Sequence, residues 1–337
     1  MDDYGRICDF SNLYAAHLKT RLGKRHKAEV IGFEVNLGYN LTLLSRMLQD
    51  DAYLPLHYYG FKVFEPKERD IHALRYPDRV VQRCLCDQVL LPAIEPRLLY
   101  DNAACRRHKG MHFSLDRLSK FMREHYRAFG NKGYVLKCDV YKYFKSISHQ
   151  ALLQKLGGLP LSGRMQAFIA GMIDSYHDVP GCGLPLGNQS SQWFALYYLD
   201  GVDRLVKEQL GIRGYVRYMD DFILLHPDKP YLTEARLRIE EYMRERLCLR
   251  LNSKTQLMPF RCGVDYLGFH LCPTGSGRIL RRLLPAAKRR IKRSVRGLRD
   301  GMANGLLTAD ELRQGFASYK GHLGHADCQG LIHKLML

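Results

Sequence analysis

Residues 214–225 read GYVRYMDDFILL, two short β-prone runs joined by a tight acidic turn. The runs Gly214–Tyr218 and Phe222–Leu225 flank that turn, and this pattern predicts a β-hairpin. The adjacent aspartates at its tip, Asp220 and Asp221, repel each other unless a cation relieves the repulsion. Hard divalent ions such as Mg²⁺ prefer carboxylate oxygens and leave positions open for phosphate. The hairpin therefore predicts a metal site, although Asp is also common in ordinary polar turns.

A second carboxylate follows a predicted strand further upstream. Residues 134–140 favour a short strand that carries Asp139 near its end, and residues 144–147 lead into a helix. Two-metal phosphoryl transfer needs carboxylates from separate strands that converge on ions about 4 Å apart. Asp139 at a strand end and Asp220 at a hairpin tip fit that layout. Taken alone, Asp139 would equally suit the N-cap of a helix.

The overall charge points to a polyanionic partner. The 337-residue chain has 52 Lys and Arg against 34 Asp and Glu, a net charge of +18. Nucleic acid is the commonest partner of so basic a protein, although a ribosome-associated or membrane-surface protein would share the charge. No apolar stretch approaches the roughly 18–20 residues of a membrane span. Residues 1–10 show no signal-peptide pattern, so we expect a cytoplasmic protein without a membrane partner.

One segment is far more basic than the rest. Between Arg278 and Arg299, ten residues are Lys or Arg and none is acidic. Apolar residues recur there at near-helical spacing from Ile279 to Leu298, which predicts an amphipathic helix with one cationic face. A solvated surface helix would show the same spacing, but the lack of any compensating acid favours a phosphate-binding face.

The remaining sequence predicts further helices and strands. Residues 1–56 favour helix because leucines recur along them at helical spacing. Residues 57–64 and 265–271 are rich in β-prone side chains, and residues 77–99 favour a helix that ends near two prolines. No internal repeat or long flexible linker separates these regions, so we expect one catalytic unit with subdomains.

Seven short segments, taken in order, resemble the motifs of the reverse transcriptase family. The resemblance covers roughly residues 60–275 and implies an α+β, right-hand polymerase fold. It divides the chain into an N-terminal helical segment (1–56), fingers (57–133), a palm with a small antiparallel sheet (134–275, with a helical insertion near 150–180) and a basic helical thumb (276–337). The segments are FEPKERDI (64–71), YPDRVVQ (76–82), LKCDVYKYFKSI (136–147), GLPLGNQSSQ (183–192), RYMDDFILL (217–225), LRLNSKTQ (249–256) and VDYLGFHL (264–271).

The resemblance also implies roles at the reaction centre. Asp139, Asp220 and Asp221 would be the catalytic carboxylates. Asp139, Val140 and Asp220 would contact two Mg²⁺ ions, for which Mn²⁺ can substitute. Phe144 would be a steric gate that rejects the 2′-hydroxyl of a ribonucleotide, so the product is expected to be DNA. A place in the core would be the commoner use of such a phenylalanine.

Further residues are implied to contact the substrates. A guanidinium such as that of Arg69 suits phosphate oxygens, and Lys254 matches a lysine that donates a proton to pyrophosphate. Without the resemblance, such residues would be ordinary exposed charges. The implied nucleotide-binding residues are Lys67, Arg69, Phe144, Leu186, Gly187, Gln192 and Lys254. The implied nucleic-acid contacts of the thumb are Arg281, Arg282, Lys288, Arg289, Lys292 and Arg293.

One motif narrows the resemblance to a subgroup. Many reverse transcriptases have Gln where Leu186 stands and Pro where Gln192 stands, whereas residues 186–192 (LGNQSSQ) resemble the diversity-generating retroelement enzymes. That subgroup is bacterial or phage-encoded, copies a template RNA into cDNA from deoxynucleotides and misincorporates opposite adenines. Its partner is a small, basic, ring-forming accessory protein, and the resemblance implies one here.

Three alternatives remain open at this point. A stand-alone defence-type reverse transcriptase would share the chemistry but not the biological role. A non-catalytic RNA-binding protein on a polymerase-like scaffold would share the charge, but it would gain nothing from anionic pairs near phosphate. An RNA-dependent RNA polymerase is disfavoured by Phe144.

Overall fold

The computed structural model describes residues 2–55, 58–64 and 68–335. The chain folds into two compact units, and each unit is assembled from three separate stretches of sequence. The first unit consists of Met1–Tyr100, Val140–Leu205 and Arg238–Ser253, and the second of Asp101–Asp139, Val206–Leu237 and Lys254–Leu337.

Helices and small antiparallel sheets alternate along the chain. Helices α1 to α16 are Asp3–Cys8, Phe10–Thr20, Ala28–Val35, Leu37–Gln49, Tyr76–Leu85, Leu91–Ile94, Met111–Phe129, Tyr143–Ser146, His149–Leu156, Gly163–Asp174, Gln189–Tyr198, Asp200–Arg204, Lys229–Leu247, Pro285–Ala303, Ala309–Leu323 and Gln329–Lys334. Strands β1 to β9 are Tyr59–Val63, Arg69–Ala73, Tyr134–Asp139, Gly214–Tyr218, Asp221–His226, Gln256–Pro259, Val264–Tyr266, Phe269–Pro273 and Ile279–Leu283. In the described ranges, no helix combines the length and the apolar character that a bilayer crossing requires.

The first unit is mainly helical, as the leucine spacing of residues 1–56 predicted. Helix α4 buries Leu41, Leu44 and Leu48, which share one face because they are three and four residues apart. The Tyr4 hydroxyl donates a hydrogen bond to the Leu48 carbonyl at 2.9 Å, which ties α1 to the end of α4. Strands β1 and β2 add an antiparallel hairpin to this unit.

The second unit contains a four-stranded antiparallel sheet in the order β4-β5-β3-β6. Strands β4 and β5 form the predicted acidic hairpin, and β3 lies between β5 and β6. Helix α7 packs against the sheet and closes an apolar core, because its buried residues recur every three to four positions. That core includes Leu115, Leu118, Met122, Val135, Val216 and Ile223.

A three-stranded sheet, β7-β8-β9, also belongs to the second unit. The β-prone residues 265–271 form its first hairpin around a two-residue turn, Leu267–Gly268, with φ of 48° and 88°. Positive φ at both turn residues matches the right-handed twist of the flanking strands.

The prediction of one amphipathic helix from Arg278 to Arg299 is wrong in its first part. Residues Ile279–Leu283 form β9, which pairs with β8, and helix α14 begins only at Pro285. Proline suits the first helical turn because its missing N–H has no partner there. From Pro285 onward the prediction is confirmed, since α14 buries Ala287, Ile291 and Val295 and exposes most of its cationic residues.

Two glycines of the β7–β8 hairpin allow a matched stability test. Gly263 has φ of 71°, and a Cβ there would overlap the Leu271 carbonyl oxygen. Gly268 has φ of 88°, but a Cβ there would meet nothing within 4 Å. Gly263→Ala is expected to lower the free energy of unfolding by about 3 kcal/mol or more, because backbone strain and overpacking add. Gly268→Ala should cost only about 1–2 kcal/mol, the strain alone. Equal losses in urea unfolding would contradict this packing.

Candidate active site

Three carboxylates gather at one end of the four-stranded sheet. Strand β3 pairs with β5 so that Asp139 lies directly opposite Asp221, as the last pair of the ladder. Strand β4 pairs with β5 so that Tyr218 lies opposite Asp221, which leaves Met219 and Asp220 as a two-residue loop. The pairing therefore brings Asp139, Asp220 and Asp221 together, and all three side chains are partly exposed.

The acidic loop has a strained backbone. Met219 has φ of 57°, a left-handed conformation that costs a non-glycine residue roughly 1–2 kcal/mol. The Arg217 side chain is 0% exposed, and its Nη1 donates a hydrogen bond to the Met219 carbonyl at 2.9 Å. Strained residues persist where their surroundings hold them, and they cluster at functional sites.

Asp221 has neighbours that sequence reasoning missed. Lys137 Nζ lies 3.9 Å from Asp221 Oδ2 and donates a hydrogen bond to the Asp265 carbonyl at 2.7 Å. Burial raises the pKa of Tyr266 well above its usual value, and the negative charge of Asp221 raises it further. The period of two along β3 could have identified Lys137, since it lies on the same face as Asp139.

The carboxylates suit Mg²⁺ without forming a complete cage. Within residues 2–55, 58–64 and 68–335, no three His, Cys, Asp or Glu side chains form a metal-ligand group. Mg²⁺ is often held by one or two carboxylates together with substrate phosphates, so Asp139 and Asp220 fit this mode. Val140 is buried and has an apolar side chain, which leaves its main-chain carbonyl as the only group able to contact an ion.

The predicted nucleotide-binding motif, residues 183–192 (the nucleotide motif), lies in the first unit and is joined to Phe144 by a main-chain hydrogen bond. The Leu184 N–H donates to the Phe144 carbonyl at 2.8 Å, and the His72 N–H donates to the Leu186 carbonyl at 2.9 Å. Residues 183–187 are therefore attached both to α8 and to strand β2. Gly187 has φ of 128°, and a Cβ there would lie 3.1 Å from the His72 carbonyl oxygen. The positive φ, together with this close approach, favours glycine.

Buried polar side chains form hydrogen bonds with the nucleotide motif and with its neighbours. Asn188 is 4% exposed, and its Nδ2 donates to the Tyr58 hydroxyl at 3.1 Å. His149 Nε2 lies 2.8 Å from the Gly183 carbonyl, and its Nδ1 lies 3.2 Å from Asp174 Oδ1. Sequence reasoning missed these residues because a lone Tyr, Asn or His gives no periodic signal.

The remaining predicted nucleotide contacts are on the surface of their units. Arg69 begins β2 and is exposed, whereas Lys67 lies outside the described residues. Gln192 is exposed on α11 of the first unit. Lys254 belongs to the second unit and lies exposed two residues before β6, towards the end of β3 that carries Asp139.

The cationic residues predicted for nucleic acid divide into two groups. Arg281 belongs to β9, and its side chain is only 15% exposed. Its guanidinium donates to Asp116 at 2.6 Å and to Ser119 at 2.8 Å, which anchors β9 to α7. The exposed group consists of Arg282, Lys288, Arg289, Lys292 and Arg293.

Comparison of this chain with known protein families identifies its family, and the fold and the carboxylates agree with the result. A family model described as reverse transcriptase (RNA-dependent DNA polymerase) matches residues 67–271, well over half of the chain. The chain therefore belongs to the reverse transcriptase family and has its right-hand polymerase fold. That family consists of RNA-directed DNA polymerases, a class of nucleotidyltransferases that generally use divalent metal ions and template RNA. No curated protein matches the chain.

A solved telomerase structure supports the same fold. Telomerase from Candida albicans, in complex with a TWJ fragment of telomeric RNA, aligns with a TM-score of 0.50 and 15% identity, over 80% of this chain and 55% of that one. Apo telomerase from Candida tropicalis, truncated from its C-terminal domain, aligns with a TM-score of 0.49 and 13% identity, over 64% of this chain and 53% of that one. The chain thus spans about half the length of either telomerase, and at this identity the likeness concerns the fold alone.

Proposed function

We propose that this chain copies a retroelement template RNA into cDNA and misincorporates opposite template adenines, as a diversity-generating retroelement enzyme does. The observation that carries the polymerase part is the register that sets Asp139 opposite Asp221, with Asp220 in the adjoining loop. Two Mg²⁺ ions, held by Asp139 and Asp220, would supply activation of the primer 3′-hydroxyl and neutralisation of the triphosphate. Mn²⁺ can take their place.

The proposal gives each carboxylate a distinct task. Asp139 and Asp220 hold the ions, with the Val140 carbonyl as a further oxygen ligand. Asp221 keeps the site anionic beside Lys137, whose ammonium group lies 3.9 Å away and limits the repulsion among the three acids. A partly exposed site of this kind leaves room for the phosphate oxygens that complete the coordination of Mg²⁺.

Six residues of the first unit, together with Lys254 of the second, bind and select the nucleotide in this proposal. The ring of Phe144 excludes a 2′-hydroxyl, while Lys67 and Arg69 bind the triphosphate. Leu186 and Gly187 contact the incoming nucleotide. Gln192 and Lys254 complete the predicted set, with Lys254 as proton donor to pyrophosphate.

The proposal that this enzyme misincorporates nucleotides rests on Leu186. Its backbone is held by β2 through the His72 N–H, and its neighbour Gly187 has a positive φ that disfavours any other residue. The backbone at Leu186 is therefore constrained, so a Gln substituted there is expected to take a similar position and to differ mainly in its chemistry. An apolar side chain cannot hydrogen-bond the nucleotide or its surroundings, so the geometry of the base pair is checked less tightly.

The proposed partners follow from charge and from the subgroup. The exposed cations of β9 and α14, with Arg282 and Lys288 as examples, bind the phosphates of the template RNA and the cDNA. A small, basic, ring-forming accessory protein is the proposed protein partner.

Primer extension on an adenine-containing RNA template tests this proposal. With deoxynucleotides and Mg²⁺, errors should concentrate opposite adenine, and Leu186→Gln should shift the error spectrum towards faithful copying by roughly tenfold, the scale of one lost polar contact. Product sequencing measures both effects, with Asp220→Asn as the inactive control. An unchanged spectrum in Leu186→Gln would refute the role of that residue.

Two other outcomes of primer extension would favour a different function. Faithful extension by the wild-type chain would favour a defence-type or other retroelement reverse transcriptase. No extension on any primed template, with or without candidate accessory proteins, would favour a non-catalytic RNA-binding role.

A further inference from the structure

Arg217 is a charged residue in an apolar layer of the second unit. It lies opposite Phe222 on β5, which in turn lies opposite Cys138 on β3, and all three side chains are fully buried. Successive strand residues point to opposite faces, so Arg217 points away from the face that carries Tyr218 and Asp221. A guanidinium in such a layer is unfavourable unless hydrogen bonds compensate the lost hydration.

Such a bond joins the Arg217 side chain to the strained acidic loop. Its Nη1 donates to the carbonyl of Met219, the residue whose φ is 57° and which immediately precedes Asp220. Guanidinium is always charged and only donates, so this bond is charge-assisted at every physiological pH.

The backbone of Arg217 is held on both sides. It pairs with β5 on one side, and on the other its N–H donates to the Asp101 carbonyl at 3.1 Å while its carbonyl accepts from the Ala103 N–H at 3.0 Å. Asp101 is anchored in turn by the side chains of Arg117, at 2.6 Å, and Lys207, at 2.9 Å. The backbone that carries the guanidinium is therefore fixed on both sides.

We propose that Arg217 is a positioning residue that holds Met219 in its left-handed conformation and so keeps Asp220 beside Asp139 before any metal ion binds. The inference rests on the proposed role of Asp220 as a metal ligand. Arg217 touches neither substrate nor ion in this account. It acts through the Met219 carbonyl, and its contribution is a preformed geometry that the ion does not have to impose.

A purely structural role predicts a different result from a positioning role. Loss of the guanidinium leaves the Met219 carbonyl without its charge-assisted donor, which costs about 1–3 kcal/mol, less than the total stability of a typical domain. Arg217→Met should therefore fold, and a structural role would leave its metal affinity unchanged. A positioning role predicts that the released loop samples other conformations and that divalent ions bind more weakly.

Mn²⁺ binding to the full chain, followed by electron paramagnetic resonance of the free ion, separates the two roles without relying on activity. Arg217→Met is expected to weaken Mn²⁺ affinity about tenfold, equivalent to about 1.4 kcal/mol. Arg217→Lys keeps a donor and should recover most of that loss. Arg213→Met makes the same chemical change at an exposed position just before β4 and should leave the affinity unchanged.

Met219→Gly tests the mechanism, because glycine adopts positive φ at no steric cost. If Arg217 acts by holding that conformation, its replacement by Met should cost less than about threefold in a Met219→Gly chain, a non-additive result expected of coupled neighbours. The same loss in both backgrounds would overturn the proposal. If Arg217→Met does not fold, Arg217→Gln, which stays polar but loses the charge-assisted donor, provides the same comparison in the two backgrounds.

The outcomes separate the inference from the function on which it rests. Unchanged Mn²⁺ affinity in Asp220→Asn would overturn the metal site itself. Reduced affinity in Asp220→Asn together with unchanged affinity in Arg217→Met would overturn only the role of Arg217.

Discussion

Replacing Asp220 by Asn is expected to reduce primer extension by at least about 10³-fold, the scale seen when one member of a catalytic group is removed. The amide has the shape of the carboxylate but not its charge, so it cannot bind a divalent ion in the same way. The fold should survive, because Asp220 is partly exposed in a hairpin loop and its charge adds to the repulsion from Asp139 and Asp221. Single-turnover extension measures the loss, and circular dichroism reports the fold.

Asp228→Asn is the matched control for that prediction. Asp228 is exposed just beyond β5, at the end of the strand away from Asp221. Asp228 also precedes the first residue of α13, where Asn caps a helix as well as Asp does, so the same change of charge there should leave extension within about twofold. Retention of more than a tenth of the activity in Asp220→Asn would show that Asp220 does not hold an essential ion.

Replacing Phe144 by Ala is expected to raise ribonucleotide incorporation, relative to deoxynucleotides, by roughly 10²-fold, the discrimination that steric fit can supply. Phe144 is partly exposed, so its ring is not part of the deep core, and its carbonyl accepts from the Leu184 N–H of the predicted nucleotide motif. Competition between a ribonucleotide and its deoxy counterpart measures the ratio. Phe144→Tyr keeps the ring and should keep the discrimination. An unchanged ratio in Phe144→Ala would make Phe144 an ordinary packing residue.

The parts of the fold that the sequence predicted are those governed by local periodicity. The hairpin at 214–225 follows from alternation around an acidic turn, and α4 follows from leucines three and four residues apart. Asp139 was expected at a strand end, and the register places it there.

The sequence-based predictions failed or were incomplete where residues distant in the sequence determine the local structure. Ile279 to Leu283 carry apolar residues at a spacing that suits either a helix or a strand, and the available edge of β8 selects the strand. The burial of Arg217, the anchoring of Arg281 on α7 and the contact between Asn188 and Tyr58 depend on residues far away in sequence. No pattern within a short window reports such partners. The four-part division into N-terminal segment, fingers, palm and thumb stays a prediction.

The strand order also has a consequence for how this protein is made. Asp139 and Asp221 lie opposite each other on neighbouring strands, yet residues 140–220 separate them in the sequence. Strand β6, which pairs with the other edge of β3, comes later still. A topology of such high contact order folds slowly, because long loops must close before their ends gain contacts. A ribosome adds about 5–20 residues per second, so the nascent chain spends several seconds with β3 exposed and its neighbours not yet synthesised. The carboxylates therefore assemble late, and a ribosome-bound chain that ends before β5 has neither the catalytic centre nor the cationic residues of β9 and α14.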